Sequence, residues 1–196
     1  MDARLSIIEQ ILKQRPAAIF SREPHHREAA VTLLLRAREN LELLLIKRAL
    51  IEHDPWSGHM ALPGGRRSNA DPDLIATAYR ETEEEIGVAV RQFGHHLGAL
   101  DEVAPMTPRL PPIVISPFVV AVPESTMPVV NPAEVEFAVW VPVPALREPG
   151  AMDEILIRFE GTSRSLPSRR YGEHVIWGLT LRILEQFFEV LDENGL

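Results

Sequence analysis

The decisive stretch runs Leu62-Pro-Gly-Gly-Arg-Arg67, then Asp71-Pro-Asp73, then Arg80-Glu-Thr-Glu-Glu-Glu-Ile-Gly-Val88. Its second half predicts a helix from about 72 to 86, with Asp71 as N-cap, Pro72 at the first helical position and Gly87 as the stop. At about 100° per residue, Glu81, Glu84 and Glu85 fall in one narrow sector. Ile75, Tyr79, Thr82 and Ile86 gather on a different sector that can face a core. Like charges at these spacings cost roughly 0.2–0.5 kcal/mol per pair, so three stacked carboxylates invite a compensating cation. All-oxygen ligands favour hard divalent ions, Mg²⁺ or Mn²⁺. A bare Glu-x-x-Glu-Glu is also what a solvated acidic helix face looks like, with Arg80 paired to Glu84. The full string Arg-Glu-x-x-Glu-Glu-x-Gly is far more restrictive: average residue usage yields it in such a chain with a probability on the order of 10⁻⁴. Just upstream, Gly64 and Gly65 lack a Cβ and let the backbone come close to a metal or phosphate.

Outward from this segment, apolar periodicity outlines a mixed α/β domain. Leu5, Ile8 and Leu12 recur at helical spacing and predict an amphipathic helix over about 3–14, with residues 16–27 as a connecting loop. Two apolar runs, 29–35 and 41–46, flank a polar stretch and read as paired strands. Residues 52–73 read as a long structured loop. Further strands are expected near 95–101, 113–122, 135–141 and 154–160. The alternation of Val135, Phe137, Val139 and Val141 predicts a strand covered mainly on one face. A final helix is expected from about 174 to 192, with Ile176, Ile183, Leu184, Phe187 and Leu191 on its buried face. The organisation expected is an N-terminal helix and loop, 1–26, followed by the main domain, 27–196.

Composition narrows the partners. The 196 residues carry 20 Lys+Arg against 28 Asp+Glu, a net charge of −8. That balance argues against the basic footprint of a nucleic-acid binder, while leaving room for a small phosphate ligand held by local Arg residues or a metal. The absence of Cys excludes disulfides, zinc–thiolate sites and a Cys nucleophile. The N-terminus lacks the pattern of a signal peptide. The most apolar run, 111–123, has 13 residues and is interrupted by Ser116 and Pro117, short of the roughly 20 a membrane span needs. A cytoplasmic protein with no membrane partner is the expectation. Of the seven His residues, His59, six positions before Gly65, is the candidate for substrate contact.

The helix and its Gly-Gly approach resemble the Nudix box of Nudix hydrolases, Gly-x5-Glu-x7-Arg-Glu-U-x-Glu-Glu-x-Gly-U, where U is bulky and apolar. Arg80, Glu81, Glu84, Glu85, Gly87 and Val88 match its second half, and Thr82 occupies a U position. The first half is looser, because Asp71 stands where the box has Glu and the loop is one residue longer. Beyond the box, Leu44-Leu-Ile-Lys-Arg-Ala49 and Gly58-His-Met-Ala-Leu-Pro-Gly-Gly65 are similar to the branch that includes coenzyme A pyrophosphatases. Leu62 replaces that branch's usual Phe, and its Arg between the two pieces has no obvious match. The resemblance covers about residues 27–190.

The resemblance implies a Nudix-type α/β/α sandwich with a mixed sheet and flanking helices. It implies a Mg²⁺- or Mn²⁺-dependent pyrophosphohydrolase acting on a small nucleotide, with coenzyme A or a derivative as the foremost substrate and 3′,5′-ADP and 4′-phosphopantetheine as products. Glu81, Glu84, Glu85 and the carbonyl of Gly64 would bind metal, and Arg80 would hold the carboxylates in place. Arg48, His59, Gly65, Arg66 and Arg67 would face substrate. Independently of the resemblance, Arg109, Arg164, Arg169 and Arg170 are candidates for phosphate contacts, with a solvated loop as the alternative for each. The water-activating base would be Glu81, or one of Glu102, Glu124 and Glu134. Members of the family often form homodimers. Two rivals stand beside this reading: the same chemistry on a nucleoside triphosphate, ADP-ribose or a dinucleotide, and a Nudix-like module that binds a nucleotide without cleaving it.

Overall fold

Strands that are apolar at nearly every position need cover on both faces, and the two runs near the N-terminus receive it. The computed structural model describes residues 1–23, 25–52, 54, 56–105, 112–159 and 162–196. In chain order the elements are α1 (Ala3–Gln14), β1 (Arg27–Ala37), β2 (Leu41–Arg48), β3 (Met60–Ala61), β4 (Gly64–Arg66), α2 (Leu74–Ile86), α3 (Val90–Phe93) and β5 (His95–Ala99). Then follow β6 (Ile113–Ala121), β7 (Val135–Pro142), α4 (Val143–Arg147), β8 (Met152–Phe159), β9 (Thr162–Tyr171), β10 (His174–Trp177) and α5 (Gly178–Asp192).

The main sheet has seven strands, with the path β3-β2-β1-β6-β5, β4 added to β1 and β7 added to β2. Its one parallel pairing among these, β1 with β6, makes it a mixed sheet. Leu33, Leu35, Leu43 and Leu45 point to one face, where Leu5, Ile8 and Leu12 of α1 and Phe187 of α5 complete the core. Leu34, Leu44 and Ile46 point to the other, against Ile86 and Val88 at the end of α2. Alternate side chains of the same strands thus enter two cores, the α/β/α sandwich expected. The segment after α1 is tied to the sheet: Arg15 pairs with Asp101 at 2.7 Å and the Ala18 N–H donates to Asp101 at 2.8 Å.

Three expectations are corrected. First, α2 starts at Leu74 with Asp73 as its N-cap, whose Oδ1 accepts from the Ala76 N–H at 2.7 Å; Asp71 is drawn away by Arg80. Second, residues 174–177 form β10, and the last helix starts at Gly178. The β-branched and aromatic run His-Val-Ile-Trp pairs with β9, from His174↔Tyr171 to Trp177↔Ser168. Third, β7 is not one-faced. A register shift opposite Lys47/Arg48 turns Val135 to the α2 side with Ala138 and Trp140, while Phe137, Val139 and Val141 keep to the α1/α5 side. That bulge sits where β2 and β7 reach the carboxylates of α2, and bulges commonly re-aim side chains beside functional sites. Separately, β8, β9 and β10 form a second, antiparallel sheet.

Candidate active site

The loop before α2 is locked to the helix by one ion cluster. Arg80 Nε and Nη2 donate to the two carboxylate oxygens of Asp71 at 2.9 and 2.8 Å, and Nη2 also reaches the Arg66 carbonyl at 3.2 Å. Asp71 further accepts from the Ser68 N–H and the Thr77 hydroxyl. The Arg80 guanidinium holds the Asp71 carboxyl well below the usual carboxylate range. Asp71 thus ties the loop before α2 to the helix through Arg80. Arg80 Nη1 meanwhile bridges Glu81 and Glu84, each at 2.8 Å. The polar Thr82 in an apolar position is explained by Thr32 on β1, whose hydroxyl lies 2.7 Å away.

The three glutamates are graded from solvent to core: Glu84 is exposed, Glu81 half-buried and Glu85 only 2% exposed. Glu85 Oε2 accepts the Gly64 N–H at 2.8 Å, and its other oxygen stands 3.9 Å from Arg48 Nη1. Burial pushes its carboxyl up to about 8; the Gly64 N–H and Arg48 oppose this, and Glu81 and Glu134 reinforce it. Glu81 is also raised, chiefly by burial, against the pull of Arg80. The glycines make this approach possible. A Cβ on Gly64, at φ +149°, would meet the Ala30 carbonyl oxygen at 2.3 Å, and one on Gly65 would meet Glu81 Oε2 at 2.3 Å.

Among the described residues no three His, Asp or Glu side chains already converge as a metal cage; Arg80 lies between Glu81 and Glu84 instead. The donor set nevertheless fits a hard divalent ion. Two carboxyl groups are held protonation-prone in a confined space, a third is at hand, and every potential ligand is oxygen.

Around this centre, Arg48 Nη2 donates to Asp54 at 2.7 Å, and its Nε is buried without a hydrogen-bond partner. His59 packs its ring on Trp177 at 4.7 Å between centroids, and burial lowers its pKa. The Arg66 charge acts on Asp54. Arg67 is engaged by Glu28 at 2.9 Å and by the Pro72 carbonyl. Arg169 is held by Glu185 and lies over Phe188, Arg170 pairs with Asp153, and Arg164 is exposed on β9. Arg109 and His53 lie outside the described residues. The structure also separates the three base candidates that spacing left equal. Glu102 is locked by Arg22 and Ser116, Glu124 is a surface partner of Arg38, and Glu134 acts electrostatically on both Glu81 and Glu85. Glu134, just before β7, is tied there by its carbonyl, which accepts the Ala49 N–H at 2.9 Å, and by its Oε1, which accepts from Asn131 Nδ2 at 3.1 Å.

The NUDIX domain family model matches residues 24–159. The chain belongs to the Nudix family. The Nudix hydrolase NudL of Photorhabdus laumondii is 30% identical over 164 residues, covering 83% of each chain. A Schizosaccharomyces pombe protein is 41% identical over 118 residues, 59% of this chain; the match spans 36% of that relative's length. Among solved structures, a MutT/nudix family protein from Enterococcus faecalis superposes with a TM-score of 0.58 over 98% of this chain and 76% of that one, at 17% identity. That likeness bears on the fold alone. Nudix membership brings the class of chemistry, pyrophosphate hydrolysis.

Proposed function

We propose that this Nudix protein hydrolyses the diphosphate of coenzyme A or a derivative, giving 3′,5′-ADP and 4′-phosphopantetheine, with Mg²⁺ or Mn²⁺ as cofactor. The observation that carries the metal-dependent reading is Glu85, a buried carboxyl pushed up to about 8 and offered one N–H and a distant guanidinium. Such a group ionises fully at neutral pH only when a cation joins it. Glu81, Glu84, Glu85 and the Gly64 carbonyl would hold the ion. Bound there, it would neutralise phosphoryl charge and lower the pKa of water.

The protein's own groups divide the remaining work. Arg80, anchored on Asp71, positions Glu81 and Glu84. Glu134 takes the proton of the attacking water; it is the candidate base outside the box that interacts with Glu81 and Glu85. Arg48, His59 and Arg66 face the substrate, and the missing Cβ of Gly65 leaves the room that Glu81 occupies beside them. The coenzyme A assignment is supported by the meeting of its two sequence signatures. Arg48, from Leu44-Leu-Ile-Lys-Arg48, stands 3.9 Å from Glu85, and the stretch 58–65 ends in the Gly64 N–H that Glu85 accepts.

The test is phosphate release, through a coupled phosphatase, from coenzyme A, ADP-ribose, NADH, diadenosine polyphosphates and nucleoside triphosphates with Mg²⁺ or Mn²⁺. Coenzyme A is expected to be turned over fastest. A clear preference for another member moves the substrate and keeps the site. No turnover of any of them, alongside a metal-induced rise in melting temperature, favours the binding-module reading.

A further inference from the structure

The smaller sheet has an edge that the rest of the fold leaves open. β9 pairs with one side of β8 along its whole length, from Met152↔Arg169 to Phe159↔Thr162. No strand among the described residues pairs with the other side. Edge strands are commonly blunted by proline, a bulge or charged side chains. β8 has no proline and no register shift against β9. Its outward side chains include Met152, 67% exposed, and Leu156, 69% exposed, with Ile155 and Ile157 half-buried on the opposite face. Asp153 is taken up by Arg170 within the sheet.

Of the other two charges, Glu154 accepts the Ser165 hydroxyl and Arg158 is exposed; they stand two residues either side of Leu156 and on its face. In an antiparallel pair, each residue faces a fixed partner. A two-fold axis at Leu156 therefore sets Leu156 against its own counterpart, Ile155 against Ile157 and Glu154 against Arg158, the last two twice over. Parallel pairing in register would set Glu154 against Glu154 and Arg158 against Arg158. A one-residue slip would part Glu154 from Arg158 and leave Glu154 opposite Ile157 or Phe159. The pattern is complementary to itself in one register.

We propose that β8 is a self-pairing strand: two copies of this chain join edge to edge about Leu156, merging their three-stranded sheets into one of six strands. A strand pair eight residues long makes a small contact, so the dimer is reversible and concentration-dependent.

Sedimentation velocity of the whole chain, from about 1 to about 300 µM to span weak association, tests this. The mass is expected to rise from 22.0 kDa toward twice that value. Arg158→Glu and Glu154→Arg each set like charges face to face, and each is expected to weaken dimerisation at least tenfold. The double reversal, Glu154→Arg with Arg158→Glu, restores opposite charges and is expected to return the dimer to near wild-type affinity. Both side chains are exposed, and unchanged melting temperatures would show that the variants fold. A monomer at every concentration overturns the proposal. So does a dimer indifferent to the single reversals, or one that the double reversal fails to restore.

Discussion

Glu85 and Glu102 are the same residue at nearly the same depth, 2% and 7% exposed, and they have opposite electrostatic fates. Glu102 receives two guanidinium nitrogens of Arg22 at 2.5 and 2.7 Å, the Ser116 hydroxyl and the Phe20 N–H. Although burial raises its pKa, these partners outweigh that and hold the carboxyl below its ordinary range. It fastens the segment after α1 to the sheet. Glu85 has one backbone N–H and an Arg at 3.9 Å, and burial wins. A buried carboxylate with its partners in place is architecture. One left short of positive charge, next to two more carboxylates, is a site that something else must complete.

The largest effect expected is on turnover. Glu85→Gln keeps the Gly64 hydrogen bond and removes the charge, so hydrolysis should fall by orders of magnitude with folding intact, and Mn²⁺ should no longer raise the melting temperature. Glu102→Gln should do the reverse: lose about 2 kcal/mol of stability in urea unfolding, a buried pair broken but partly solvated, with near-normal kcat in the folded protein. A Glu102→Gln variant that folds normally and is inactive would break the comparison. Next in size, Glu134→Gln should lower kcat by about 10²–10⁴-fold, the usual range for a general base, with KM little changed. Glu124→Gln should leave kcat alone.

Much of this contrast was legible in the sequence, and the rest was not for definable reasons. The positions of Glu81, Glu84 and Glu85 follow from helical spacing, and their family role from the flanking Arg80 and Gly87. The helix α1 and the strands β1 and β2 follow from local apolar periodicity. β9 left no local trace, because residues 162–167 are exposed on both faces of a strand whose pairing is entirely with other segments. Ile176 matches the helical pattern of α5 and is buried, yet it belongs to β10; a period cannot tell the last residue of a strand from the first turn of a helix. Pro72 points to Asp71 as the cap, but the guanidinium of Arg80 engages Asp71 and leaves the cap to Asp73. Ranking Glu134 above Glu102 and Glu124 required knowing which of them lies near Glu81 and Glu85, a product of long-range strand pairing rather than of any residue nearby.

The same two glutamates should leave opposite signatures on stability as pH changes. In the metal-free protein, Glu85 titrates near 8 when folded against 4.5 when unfolded. Between those values the folded state holds a proton that the unfolded state has released, so stability falls as pH rises through that window and is level outside it. At pH 7 the penalty is about 3 kcal/mol, at 1.36 kcal/mol per unit. Glu102, lowered in the folded state, contributes stability above about 4.5 that is lost as pH falls. Urea unfolding in a chelator at pH 5 and pH 8 separates the two: Glu85→Gln should be more stable than wild type at pH 8 and about equal to it at pH 5. A variant without that gain would show that Glu85 is already balanced by charge within the protein.

The smallest effect expected tests how finely the site is positioned. Gly64 and Gly65 are neighbours with different constraints. A Cβ on Gly64 would press on the backbone of β1, whereas a Cβ on Gly65 would meet only the end of the Glu81 side chain. Backbone cannot give way there, but a carboxylate can turn aside. Gly65→Ala should therefore cost little stability, about 1 kcal/mol or less, the scale of a single side-chain adjustment. It should nonetheless move Glu81 off its place beside Arg80 and Glu85, and a displacement of about 1 Å at a catalytic group can cost up to 10²-fold in rate. A loss nearer tenfold is expected, because Arg80, still anchored on Asp71, limits how far Glu81 can swing. Measured kcat and melting temperature together decide it: equal losses in both would mean that Gly65 serves the fold, and a loss in kcat alone would mean that the absent Cβ is what keeps Glu81 where the reaction needs it.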